Sequence, residues 1–142
     1  MEIGLPAEGG YTAGMAILSE VMRTEFITVA PEDTLGEVAE KMTALNVGSV
    51  VVKDFGTLVG ILTERDLLKA MAARVHSSEA RVRQFMTLDP VTAAPEMDCE
   101  DAEQLMLDSG FRHLPIVEGD DVLGVVSLRR VVAATKTATA NS

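Results

Sequence analysis

The sequence predicts an α/β protein made of two tandem copies of one β-α-β-β-α unit, related by pseudo-twofold symmetry. Three observations predict it. First, the chain aligns with itself at a constant offset: Met22 pairs with Met86, since 86 − 22 = 64, and the same offset pairs Thr28 with Thr92, Pro31 with Pro95, Glu32 with Glu96, Met42 with Met106, Gly60 with Gly124 and Arg65 with Arg129. Second, both copies pass through helical spacing and β runs in the same order. Third, a single unit of this kind leaves a sheet face open, whereas two can cover each other and bury a larger fraction of their surface.

Each repeat begins with a short helix ending in Met, Ile17–Met22 or Val82–Met86. A short strand follows, Phe26–Val29 or Val91–Ala93. After Pro-Glu comes a helix. In the first copy Asp33 or Thr34 is a suitable N-cap, and Leu35, Val38, Met42 and Leu45 fall on one face. In the second copy Asp98 takes the cap position, and Cys99, Ala102 and Met106 take the face. A hairpin comes next: Ser49–Lys53 and Thr57–Leu62 around Asp54-Phe55-Gly56, then His113–Val117 and Val122–Val126 around the acidic turn. A final helix follows Thr63 or Ser127, carrying Leu67, Leu68 and Met71, or Val131, Val132 and Ala134. The unbroken apolar run at Val51 and Val52 predicts a sheet covered on both faces. The organisation is an arm at 1–16, repeats at 17–73 and 82–135, a polar linker at 74–81 and a small, polar tail at 136–142.

Composition narrows the function. Hydrophobic residues are 47% of the chain but aromatics only 4%, so the core is aliphatic. The net charge is −10, which repels a phosphate backbone and argues against nucleic acid. One cysteine excludes an intrachain disulfide, and two histidines are too few for a His-rich metal site. No apolar run approaches the ~18 residues of a membrane helix. The N-terminus lacks the charged and apolar regions of a signal peptide. A soluble, cytoplasmic protein is expected.

The whole pattern resembles the cystathionine-β-synthase-type (CBS) domain family. The matching residues are Val21-Met22, Pro31-Glu32, Met42, Gly48–Lys53 and Leu58–Leu67, then Phe85-Met86, Pro95-Glu96, Met106, Arg112–Val117 and Leu123–Ser127. The resemblance spans roughly residues 17–135. It implies two CBS repeats paired into one Bateman module, a disc with two clefts between the repeats. It further implies homodimerisation, regulation of a partner protein, and a ligand such as AMP, ADP, ATP, S-adenosylmethionine or NADH.

Thr63-x-x-Asp66 is the sharpest motif, at a strand-to-helix turn. Read locally, Thr63 is an N-cap and Asp66 a favourable first-turn acid. Read through the resemblance, Asp66 accepts from the two ribose hydroxyls and Thr63 donates to a ribose or phosphate oxygen. A carboxylate has two acceptor oxygens and a cis-diol two donors, so the chemistry fits. Arg65 stands beside them. The second copy departs here: Arg130 stands where Asp66 does, and Arg accepts nothing. One competent site per chain is therefore expected. The resemblance also implies that Arg112 and His113 serve phosphates, against a reading as a solvated Arg and a partly buried His. Phe26, Ile27, Thr28, Ser49, Val50 and Val51 would read adenine through their backbone, with Ile61 and Leu62 adding apolar contact, although each also reads as ordinary core.

Other features carry less. Cys99 falls on a buried helix face with no histidine partner in the pattern. Glu118–Asp121 is a turn sequence without calcium-loop spacing. No nucleophile–base pair or metal cluster is visible, so the expected role is non-enzymatic adenine-nucleotide sensing that requires no cofactor. The alternatives are a ligand-free interaction and dimerisation module and, more remotely, a small enzyme.

Overall fold

A computed structural model describes residues 16–141. The chain forms two compact units, and they do not coincide with the sequence repeats: one is residues 25–91, the other joins residues 16–24 to residues 92–141. The leading segment of each repeat thus packs with the hairpin of the other.

In the 25–91 unit, β1 (Thr28–Val29) runs parallel to β2 (Ser49–Asp54), with Thr28 beside Val51. β3 (Thr57–Thr63) returns antiparallel, with Ser49 opposite Thr63 and Val51 opposite Ile61. The turn between them uses positive φ at Phe55 and Gly56, 50° and 81°. The fourth strand, β4 (Thr87–Leu88), pairs antiparallel with Gly60 and Ile61. Helix α2 (Leu35–Leu45) buries Leu35, Val38 and Met42, as the spacing requires, and α3 (Glu64–Ala72) buries Ala70. The α3 positions Leu68 and Met71 are exposed, unlike the half-buried Leu67. The short α4 (Val82–Phe85) closes the core: Val82 is fully buried beside Val29, Val38, Val50 and Leu62.

The other unit repeats this arrangement. β5 (His113–Glu118) pairs with β6 (Asp121–Ser127), His113 opposite Ser127. Its outer strands shrink to single bridges, Ala93 with Ile116 and Arg23 with Val125. These are the 64-residue counterparts of Val29 with Val52 and Thr87 with Ile61. Helix α1 (Leu18–Val21) supplies the fully buried Leu18 to a core with Met106, Leu114, Ile116 and Val131. Helix α5 (Cys99–Ser109) buries Cys99, Ala102 and Met106.

Three expectations need correction. Asp98 stands at the N-cap of α5, but its side chain makes no capping bond. The strand expected at Val91–Ala93 reduces to the bridge at Ala93. The expected tail is helical, since α6 runs Leu128–Asn141. Alanine favours helix, and the threonines return their hydroxyls to the helix: Thr135 Oγ1 donates to the Val132 carbonyl at 2.9 Å and Thr137 Oγ1 to the Ala133 carbonyl at 2.9 Å. The arm at 1–16 lies outside the described residues except for Ala16. Among the described residues no helix is long and apolar enough to cross a membrane.

Candidate ligand site

Thr63 ends β3 in extended conformation (φ −120°, ψ 167°) and caps α3. Its hydroxyl accepts from the Asp66 backbone N–H at 3.3 Å. Asp66 reaches back: Oδ2 accepts from the Thr63 N–H at 2.9 Å and from Thr63 Oγ1 at 3.1 Å. This is a capping box with Asp in place of the usual Glu or Gln. Both bonds land on one oxygen. They orient the half-buried carboxylate and leave Oδ1 with no hydrogen-bond partner among the described residues.

The neighbouring strands are tied to this corner. The Glu64 N–H donates to the Gly48 carbonyl at 2.9 Å, so the entry to β2 is fastened to the first turn of α3. The Val51 N–H donates to the Ile27 carbonyl at 2.9 Å, which fastens β1 to β2. The structure therefore gathers Thr28, Ser49, Val50, Val51, Thr63, Arg65 and Asp66 onto three adjacent strands and one helix start, with Ile27 just ahead of β1. Strand alternation divides them. Val50 and Val52 enter the helix-packed core, while Ser49 and Val51 lie on the opposite face. Directly opposite residues of an antiparallel pair project to the same side, so Thr63 and Ile61 share that face. Four consecutive residues, Ser49 to Val52, are buried, so both faces of β2 are covered, as expected. Val50 is thus core and offers only its backbone. Arg65 and Thr28 are exposed and Ile27 is half-buried.

Arg112 and His113 belong to the other unit, where they stand as Gly48 and Ser49 do. The Leu128 N–H donates to the Arg112 carbonyl at 2.8 Å, and His113 lies opposite Ser127. Arg112 is exposed and His113 half-buried. Ser127 Oγ accepts from the Arg130 N–H at 3.2 Å, but Arg130 cannot return an acceptor to the Ser127 N–H. This corner has half of the capping box and no carboxylate. Sequence reasoning missed the carbonyls of Gly48 and Arg112 as fasteners, because backbone acceptors leave no side-chain pattern to read. Among the described residues no group of three His, Cys, Asp or Glu side chains could hold a metal ion.

The CBS domain family profile matches residues 18–73 and 82–136. The CBS domain-containing protein YhcV of Bacillus subtilis is 36% identical over 114 residues, covering 80% of this chain and 81% of its own. A crystal structure of a CBS-domain-containing protein from Agrobacterium tumefaciens is 30% identical, with a TM-score of 0.78, covering 87% of this chain and 95% of that one. The CBS domain pair of protein MJ0100, solved in complex with 5′-methylthioadenosine and S-adenosyl-L-methionine, shares the fold at 22% identity and a TM-score of 0.76, covering 86% of this chain and 97% of that one. With two profile matches in one chain and a 64-residue symmetry that runs down to single bridges, this protein belongs to the CBS domain family as a tandem pair, a Bateman module.

Proposed function

We propose that the chain is a non-enzymatic sensing module that binds an adenine nucleotide or adenosyl compound through Asp66 and Thr63, and that occupancy biases its contacts with a partner. One observation carries this reading: the capping box orients Asp66 while leaving Oδ1 open to accept. A carboxylate held in this way suits a ribose diol, whose hydroxyls are donors. The complex of a protein of the same fold with two adenosyl compounds supports the ligand class. The Arg130 corner lacks the acceptor, which supports one ligand per chain. A ligand shifts the module only as far as it binds one arrangement more tightly than another.

The test is calorimetric titration of AMP, ADP, ATP, S-adenosylmethionine and NADH into wild type and Asp66→Ala. One ligand per chain is expected, weakened by about 1–3 kcal/mol in the variant, the usual cost of losing hydrogen bonds to a charged group. Circular dichroism of the variant verifies that α3 survives loss of its cap. Silence with all five ligands, or equal affinity in the variant, would leave a ligand-free interaction module as the better account.

A further inference from the structure

Of the methionines described, Met42 and Met106 are sealed in the two cores and Met71 stands 75% exposed on α3. Met22, Met86 and Met97 are half-buried. Met22 and Met86 share a further feature. Each thioether rests on a glycine of the facing hairpin, Met86 on Gly60 in β3 and Met22 on Gly124 in β6. The fit leaves no slack. A Cβ on Gly60 would stand 3.3 Å from Met86 Cγ, one on Gly124 would stand 3.0 Å from Met22 Cγ, and each would lie nearer still to the sulfur. Each methionine is also the C-cap residue of a leading helix, α1 or α4. The residues that pair with the hairpin edge follow at once: Thr87 and Leu88 with Ile61 and Gly60, or Arg23 with Val125. The two sulfurs thus lie where each leading segment is attached to its unit.

We propose that Met22 and Met86 are paired modification sites, at which a peroxide oxidises the thioether to a sulfoxide and so releases the leading segments. The step balances between these reactants. A sulfur lone pair attacks one peroxide oxygen, an S–O bond forms and the O–O bond breaks. The sulfur loses two electrons, and with hydrogen peroxide the departing oxygen takes up the proton and leaves as water. The product is bulkier than the thioether and polar, with an oxygen that seeks a donor. On one side it meets the backbone of a paired strand, and on the other the aliphatic core against which Met86 or Met22 packs. Burying the new oxygen there without a donor is costly. The oxidised side chain therefore turns out to solvent, and α4 with β4, or α1 with the Arg23 bridge, loses its anchor. Methionine sulfoxide reductases return the thioether, so the change is reversible. The inference is independent of the reading of Asp66 and Thr63 as a ligand site.

The experiment treats the full chain with graded hydrogen peroxide. Peptide mass spectrometry reads the sulfoxide at each methionine, and melts followed by circular dichroism read the Tm. Met71 should oxidise first, Met22 and Met86 next, and Met42 and Met106 last. The Tm should hold while Met71 alone reacts. It should then fall by about 4–10 °C, the shift expected of an overpacked site in a chain of this size. Methionine sulfoxide reductases A and B together should restore it. Met71→Leu should lose Tm as wild type does, whereas the double variant Met22→Leu, Met86→Leu should keep its own untreated value. Each variant is compared with itself, so the cost of leucine drops out. Should the double variant not fold, the wild-type time course decides, since the loss must follow sulfoxide at Met22 and Met86 and not at Met71 or Met97. Three results would each overturn the inference: Met22 and Met86 stay reduced in the folded chain, they oxidise with the Tm unchanged, or the double variant is as sensitive as wild type.

Discussion

Met22 packs so closely on Gly124 that a Cβ added to the glycine would stand 2.9 Å from the Met22 sulfur and 2.6 Å from the Arg23 carbonyl oxygen. The symmetry-related pair is Met86 on Gly60, with 2.8 Å to the sulfur and 2.9 Å to the Thr87 carbonyl oxygen. In each pair the methionine follows the leading helix of one repeat and the glycine lies in the hairpin of the other. The conserved geometry of the two pairs explains why Met and Gly both recur at the 64-residue offset.

Substitution of either glycine should therefore loosen the exchanged segment. Gly124→Ala should cost about 1–3 kcal/mol, the usual range for overpacking. Gly60→Ala should cost less, because its nearest contact is a flexible thioether and its backbone contact is longer. Urea denaturation of the two variants beside wild type gives both values. Equal, negligible losses would show that the strands shift apart freely.

The boundaries of the units predict how fragments behave. A fragment of residues 25–91 keeps Val82, Phe85 and Met86 against the core it needs. It should unfold cooperatively on heating, although a unit so small is marginal. A fragment cut at the sequence repeat, 17–73, lacks those residues and the β4 pairing, and should lose its near-ultraviolet signal or aggregate. If 17–73 proves the more cooperative of the two, the unit boundaries are wrong.

Cys99 is 1% exposed, and burial raises its thiol pKa, with the carboxylates of Glu20 and Asp98 adding to the effect. The folded chain then retains a proton that the unfolded chain loses. This contribution is complete below the unfolded thiol value, about pH 8.5, and is lost as pH rises toward the folded value. Denaturation of wild type and Cys99→Ala at pH 7 and pH 10 should show the gap between them shrinking at the higher pH. A gap that stays constant would mean that the thiol ionises alike in both states.

Thr34 caps α2 and Glu37 completes its capping box, with Thr34 Oγ1 3.2 Å from the Glu37 N–H. Thr34→Ala should cost about 1 kcal/mol, as for most caps. The Glu37 carboxyl is held below its ordinary value, first by the Thr34 backbone N–H and then by the Thr34 hydroxyl. Its contribution is therefore present above the unfolded glutamate pKa and fades as pH falls through the folded value. Glu37→Gln should differ from wild type at pH 7 and match it more closely at pH 3, read by thermal melts. A difference that persists unchanged into acid would assign the effect to something other than ionisation.

Much of this was legible in the sequence for local reasons. The hairpins showed because Ser49–Asp54 and His113–Glu118 are apolar runs bounded by turn residues. α2 showed because Leu35, Val38 and Met42 keep helical spacing. The pairing of β4 with β3 did not show, because two residues carry no alternation and their partners lie in the other repeat. The C-terminal helix was legible at Val131, Val132 and Ala134, but its continuation beyond residue 135 was hidden by small polar side chains that suggest a tail, although alanine supports helix. At the site, Thr63 and Asp66 announced themselves by spacing. That both capping bonds fall on a single carboxylate oxygen depends on three-dimensional placement.

The exchange of leading segments bears on what duplication achieved. A single unfused repeat could complete its core in this manner only by trading its leading helix with a second molecule. Its folding would then depend on protein concentration. Tethering the two copies makes the trade intramolecular, so its effective concentration is set by the connecting chain and not by expression level. Dilution, which would dissolve a pair of separate halves, leaves this architecture intact.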